Sequence, residues 1–406
     1  MIPVGPGAAG GDAQGVTLGN RRLLGALALV AAAAALGAIL LGRGGGTPSP
    51  RWTPLPRAPI RGRLSAGAVW TGTRMIVWGG VARSGAVEAM GDGAAYDPAT
   101  RTWRELAPAP PGVLGDGGTG VVWTGRELLV WASNSPDGPV GGAVYDPRTN
   151  RWRGLPAGPL GRREGYQSAW TGREMLVISG TNGDTLATPI AAALDPATGS
   201  WRLLPALNAV TGLLANGAVW GGHEVYVTGR RALCPPQQGA SCGRFPPVFL
   251  AYDPVTDALR SIALSTAPLS AQQRSQLAPV AWTGTEVILA TTANRIVRYD
   301  PATGAWHIGR PAPCAPLPEP TASYTQTAWL GGRYVAACGT DRLQLYTPAT
   351  DAWRVVRAGP SPLNSRFGSA VVWTGSELIV WSGTVYKRFN PTPRDGASVA
   401  LAASPR

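Results

Sequence analysis

At 406 residues with 44 % apolar side chains, the chain can bury a large core, but 55 glycines and 38 prolines are too many turn formers for a mainly helical protein. The formal charge of +13 is almost wholly arginine, Lys387 being the sole lysine, and no basic run accompanies it, which argues against nucleic acid as a partner. Arginine in place of lysine, beside abundant Ala, Gly and Pro, fits codon bias in a GC-rich bacterial genome; the functional counterpart is attraction to an anionic surface.

In chain order, residues 1–20 are Gly-rich, polar and aperiodic and read as a flexible cytoplasmic tail. Arg21 and Arg22 then precede Leu23 to Gly42, twenty uncharged residues, with Arg43 after them. A helix of that length crosses the ~30 Å hydrocarbon core, so residues 21–43 read as a transmembrane signal anchor with its N-terminus inside the cell. The rival reading is a cleavable signal, with Ala33, Ala35 and Ala38 as cleavage positions. Either device exports the remainder of the chain, which comprises a linker over 44–50, the body of the protein over 51–392 and a C-terminal tail over 393–406.

That body repeats. Trp70, Trp123, Trp170, Trp220, Trp282, Trp329 and Trp373 are each followed by Thr-Gly, Gly-Gly or Leu-Gly and then an apolar run, as in Met75–Trp78. Downstream of each lies Tyr96-Asp97-Pro98, Tyr145-Asp146-Pro147, Leu194-Asp195-Pro196, Tyr252-Asp253-Pro254 or Tyr299-Asp300-Pro301, then more loosely Tyr346-Thr347-Pro348 and Phe389-Asn390-Pro391. In five copies a Trp stands seven residues after the aromatic or leucine: Trp103, Trp152, Trp201, Trp306 and Trp353. Two β-rich runs around a Gly-bearing turn predict a hairpin, and the Asp-Pro cluster predicts a turn into a fourth strand. A four-stranded sheet with two apolar faces cannot bury itself alone, so seven of them pack radially.

The doubled glycine Gly79-Gly80, followed by Tyr96 and then Trp103, resembles the kelch repeat of the galactose oxidase-like β-propellers. The resemblance covers residues 51–392 and implies an all-β, seven-bladed propeller. It implies little about activity, because one fold hosts many chemistries. The copper site of that group needs two His, Tyr ligands and a Tyr cross-linked to Cys. Here the only histidines, His223 in a short turn and His307 on an outer strand, are badly placed for a channel metal. Asp97, Asp146, Asp195, Asp253 and Asp300 occur once per copy and read as turn caps rather than calcium ligands. No metal and no cofactor is expected.

The seventh copy has strands around Ala370–Trp373, Leu378–Trp381 and Tyr386–Phe389 but no Trp-bearing fourth strand. Trp52-Thr53-Pro54-Leu55-Pro56 matches Trp152 to Pro156 and Trp201 to Pro205, so this N-terminal strand is assigned to the last blade; the alternative donor is Ala397 to Ala402. Cys234 and Cys242 bracket an insert in the fourth copy, and Cys314 and Cys338 flank the start of the sixth, so both pairs are candidate disulfides of an oxidising compartment.

Turns between first and second and between third and fourth strands are short and uniform, whereas the connections on the other face vary: 81–93, 133–142, 230–247 and 261–276. Variable loops on a rigid scaffold carry recognition. Residues seven before each anchoring Trp should ring the channel mouth: Arg63, Asp116, Arg163, Leu213, Ser275, Ala322 and Arg366. Arg63, Arg163 and Arg366 could clamp an anion, with Glu164, Tyr166 and Tyr324 near in register as acid, base or stacking platform. The expected function is a membrane-anchored, non-catalytic propeller that binds a protein or anionic glycan at its variable face. The alternative is an enzyme acting on an acidic sugar, epimerase- or lyase-like, through the arginine cluster.

Overall fold

The computed structural model describes residues 50–84, 86–115, 120–132, 141–160, 166–178, 190–232, 245–291, 294–314, 327–338, 341–360, 366–385 and 393–401. Seven four-stranded antiparallel sheets are present. Blade 1, for example, runs Gly67–Trp70, Met75–Trp78, Gly93–Asp97 and Thr102–Glu105, from innermost to outermost strand. The innermost strand of each blade contacts that of the next, and the seventh returns to the first. The fold is a closed seven-bladed β-propeller.

The sequence builds each blade locally. In blade 1 the Thr71 N–H donates to the Arg74 carbonyl (2.9 Å) while the Thr71 hydroxyl oxygen accepts from the Arg74 N–H (3.0 Å). The same double bond closes the turns at Thr124, Thr171, Thr283 and Thr374. The following glycines, Gly72, Gly125, Gly172, Gly284 and Gly375, hold φ between +94° and +104°. A Cβ there would meet nothing within 4 Å, so backbone conformation and not space selects glycine.

Second strands such as Met75–Trp78, Met175–Ile178 and Val287–Ala290 are buried along their whole length. A blade has a neighbour on each side, so both faces of this strand are core, which is why the sequence shows an unbroken apolar run instead of alternation. Outer strands such as Arg151–Gly154 are mostly exposed. Seven apolar clusters form, one at each junction between adjacent blades, including that of blade 7 with blade 1.

The seven-residue Tyr-to-Trp spacing has a direct cause. Tyr96 lies opposite Trp103, Tyr145 opposite Trp152, Tyr299 opposite Trp306 and Tyr346 opposite Trp353 across the third and fourth strands. Ring centroids are 4.8–5.1 Å apart in these pairs. Four of the outer-strand Trp rings also reach back toward the preceding blade: Trp103 Nε1 donates to the Pro56 carbonyl, Trp152 to Ala107, Trp201 to Pro156 and Trp353 to Arg310. The turn between the paired residues adds a further tie. Asn150, Asp257 and Asp351, all at positive φ, accept from their own blade's Tyr hydroxyl and from a backbone N–H of the previous blade.

Ring closure uses both ends of the chain. Blade 7 is ordered Ala370–Trp373, Glu377–Trp381, Gly396–Ala400 and then Trp52–Pro54 outermost, with Trp52 opposite Val399. The N-terminal strand is thus the closing strand, as expected. The third strand is not Tyr386–Phe389, and residues from Gly396 belong to the blade instead of a tail. Blades 1, 2 and 7 each carry a Trp late in the second strand, Trp78, Trp131 and Trp381, and the third strand sets a glycine opposite it, Gly93, Gly142 and Gly396, where a Cβ would fall 2.3–2.5 Å from a second-strand carbonyl oxygen. Each of these glycines also accepts a backbone hydrogen bond from a leucine of the outermost segment, Leu106, Leu155 and Leu55 respectively. The Phe389-Asn390-Pro391 stretch has no such glycine and falls outside the described residues, as does segment 21–43. Among the described residues no helix is long and apolar enough to cross a membrane.

Candidate functional site

The face bearing the long connections is where the sequence places function. Its described parts are unequal. Blade 1 adds a hairpin, Val81–Ser84 with Ala86–Ala89, and Arg61 on the entering segment pairs with Glu88 at 2.7 Å. The connection from blade 4 to blade 5 adds a short helix, Ala271–Ser275, whose start is held by a reciprocal Ser270–Gln273 capping box. Ser275, one of the seven channel-mouth positions, is in that helix, and Leu213, another, is buried in the first strand of blade 4.

Arg63 is 1 % exposed. Its guanidinium donates to both Asp92 carboxylate oxygens (2.6 and 3.0 Å) and to the Asp92 and Gly79 carbonyls, and Nε donates to the Arg61 carbonyl. Trp381 of blade 7 lies 6.0 Å from the guanidinium carbon. The Arg63 N–H donates to Ser382 Oγ (2.7 Å), so this residue staples blade 7 to blade 1. Arg366 repeats the arrangement one blade back. It donates to the Asp395 carboxylate (2.9 Å) and to the Ser382 and Asp395 carbonyls. The two arginines therefore meet at Ser382, each already committed to an aspartate.

Sequence reasoning missed those aspartates. Asp92 and Asp395 each directly precede the glycine that opens the third strand, Gly93 and Gly396, so an arginine seven residues before the anchoring Trp and an Asp-Gly in the same blade are one unit. The Gly79 and Ser382 N–H groups donate to the Asp92 and Asp395 carbonyls, which brings each aspartate against the end of the second strand. Tyr166 is 5 % exposed, packed between blades 2 and 3, and its hydroxyl donates to the Trp131 carbonyl at 2.7 Å. Asp116, Arg163, Glu164 and Tyr324 lie outside the described residues.

Cys314 and Cys338 form a disulfide that ties the connection after blade 5 to the second strand of blade 6. Cys234 and Cys242 lie outside the described residues. His223 sits in a short turn, 3.7 Å from Asp253, and His307 lies on the outer strand of blade 5 opposite Arg298. Among the described residues no group of three His, Cys, Asp or Glu side chains gathers where a metal ion could be held.

The turn aspartates cap backbone as the sequence implies. Asp253 Oδ1 accepts from the Val255 and Thr256 N–H groups and Oδ2 from the Thr256 hydroxyl (2.6 Å). The Thr256 hydroxyl holds its carboxyl below the usual aspartate range against the opposing effect of burial. On the outer strands, Arg260 grips Glu224 with both nitrogens (2.9 and 2.7 Å) and Tyr226 donates to the same carboxylate at 2.8 Å. That grip keeps Glu224 ionised below the ordinary range, while burial pushes the Tyr226 hydroxyl up. These groups are structural cement between strands and blades. No protein-family model matches the chain and no curated protein matches it, so the fold and the side chains described above are what the functional reading rests on.

Proposed function

We propose that this chain is an exported, membrane-anchored, kelch-like propeller of bacterial origin that serves as a non-catalytic binding module, meeting a protein or an anionic glycan through its long connections. The observation that carries this reading is the asymmetry of the two faces. One face repeats the same hydrogen-bonded turns in blade after blade, whereas the other carries a hairpin in blade 1 and a capped helix before blade 5. A ring held by seven apolar junctions keeps such loops in fixed relative positions, so loop sequence can vary without cost to the scaffold.

Three features support the finer points. The uncharged run from Leu23 to Gly42 is long enough for an anchor. The Cys314–Cys338 disulfide suits an oxidising compartment. The opposed Tyr and Trp pairs, together with Gly79 and Gly80 at φ +67° and +89°, suit the kelch pattern. An enzyme acting on an acidic sugar would need arginines that face the ligand, and the commitment of Arg63 to Asp92 and of Arg366 to Asp395 weighs against it.

The test is binding of the full-length chain, held in a lipid nanodisc, to an array of acidic and neutral glycans. Two variants run beside it, one with the hairpin over 81–89 and one with the insert over 234–242 replaced by short turns. Binding of an acidic glycan that weakens in either variant, at unchanged melting midpoint, is the expected result. Binding untouched by both replacements would refute the loop-face reading, and turnover of the bound glycan would favour the enzyme.

A further inference from the structure

The repeated face carries one departure from its own pattern. The last residue of the first-to-second-strand turn is glutamate in five blades: Glu127, Glu174, Glu224, Glu286 and Glu377. In three of them it pairs with the arginine that follows the outer-strand aromatic or leucine: Glu127 with Arg153 (3.5 Å), Glu174 with Arg202 (2.7 Å) and Glu224 with Arg260 (2.7 Å). Blade 1 has the arginine, Arg104, in the matching register opposite Ala95, but the turn residue is Arg74. The carboxylate that neutralises the outer-strand arginine elsewhere is replaced by a second cation.

A cleft of about 700 Å³ opens at this point, between the turns of blades 1 and 2. Arg74 and Arg104 line it from blade 1 and Arg126 and Arg148 from blade 2; Asp97 is the carboxylate in the lining, Asp146 stands beside it against Arg148, and Trp123 forms part of the wall. Arg74 reaches Asp97 only at 3.3 Å, and Arg148 reaches Asp146 at 3.5 Å. The Arg104 and Arg126 side chains make no hydrogen bond or ion pair with any described residue. The corresponding cleft between blades 5 and 6 is lined by Glu286 and by no arginine. Blade 6 also has an arginine at the turn position, Arg333, but that side chain is 8 % exposed.

We propose that the cleft between blades 1 and 2 is an oxyanion-binding site for a small, multiply charged ligand bearing phosphate or sulfate groups. Four guanidiniums around one opening repel one another, and an anion relieves that repulsion while offering each fork paired hydrogen-bond acceptors. The volume suits a ligand of one or two sugar rings, and the Trp123 ring gives an apolar surface for its carrier. The site lies on the face opposite the long connections and does not depend on what they bind.

Isothermal titration of the full-length chain with inorganic pyrophosphate, and separately with a sulfated disaccharide, tests this at low salt. The expected result is one-to-one binding of at least one probe. Arg74→Glu restores the carboxylate of the other blades and supplies Arg104 with a partner, so it should preserve the melting midpoint and weaken binding by about 10-fold or more. Arg126→Ala, at an exposed turn, should weaken binding similarly, whereas Arg357→Ala in blade 6 should leave it unchanged. Binding of both probes assigns the site to the anion itself, and binding of the disaccharide alone adds the Trp123 wall. Binding of neither probe, or equal binding by wild type and both cleft variants, overturns the proposal. Loss of the loop-face interaction alone would leave it standing.

Discussion

Arg63 shows how one side chain can look like chemistry in the sequence and act as structure in the fold. A buried guanidinium is tolerable only when its donors find acceptors. Here a carboxylate, three carbonyls and an indole ring surround it. Arg63→Ala should lower stability by about 2–3 kcal/mol, read as the denaturant midpoint, because it strips a buried pair whose Asp92 partner is half open to water. Arg63→Lys should recover little, since an ammonium cannot fork onto both carboxylate oxygens. Arg63 was legible as an unusual residue at a special register. Its partner was not, because Asp92 is brought to it by the end of the second strand, a matter of how the hairpin of blade 1 folds back.

At the scale of the element, the turns do most of the repeated work, and they titrate. Asp97, Asp146, Asp253 and Asp300 all have carboxyls held below the usual aspartate range. The Thr256 hydroxyl bonded to Asp253 and the Thr303 hydroxyl bonded to Asp300 are the leading causes there, and the Arg148 N–H is at Asp146. At Asp97 burial pulls the other way, and the hydrogen bonds from Thr100, Arg74 and Ala99 outweigh it. A carboxyl whose folded pKa is depressed binds its proton more readily when unfolded, so the stability it contributes is present above the unfolded value and is lost as pH falls. The melting midpoint should therefore be flat between about pH 5 and about pH 9 and fall below about pH 4. The double variant Asp97→Asn and Asp253→Asn keeps the Oδ1 acceptors of the turn N–H groups but removes the titration together with the Oδ2 bonds from Arg74 and Thr256, so its acid slope should be shallower. An equal slope in thermal melts across pH would show that other groups control acid unfolding.

The whole molecule is closed by pairing the chain's two ends in one blade. Leu55 and Ile60 from the N-terminal segment join the apolar junction of blades 7 and 1, while Val399 and Leu401 from the C-terminal segment join that of blades 6 and 7. Removing residues 1–49 should leave the melting midpoint unchanged, because the closing strand and all four of these side chains remain. Removing residues 1–58 deletes the closing strand and should cost roughly 5 kcal/mol or more in buried side chains alone. A chain ending at residue 392 lacks the third strand of blade 7 and should fail to give a cooperative melt. A cooperative melt from that chain would show that blade 7 does not need Gly396–Ala400.

Sequence alone determined the number of blades, the hairpin turns and the Tyr and Trp positions, because each depends on residues within a few positions of one another. Thr-Gly sets a turn, and opposed strand positions seven apart set an aromatic pair. It also pointed to Trp52 as the closing strand, since that strand copies two others in the chain. Only the tertiary structure decided which stretch completes blade 7. The Asn390-Pro391 signal is local and weak, whereas the pairing of Gly396 with Trp381 arises only when strands meet. It likewise decided that Arg63 and Arg366 are consumed by aspartates and that Arg74, Arg104, Arg126 and Arg148 share one opening, because charge neutralisation depends on spatial neighbours that no spacing along the chain reveals.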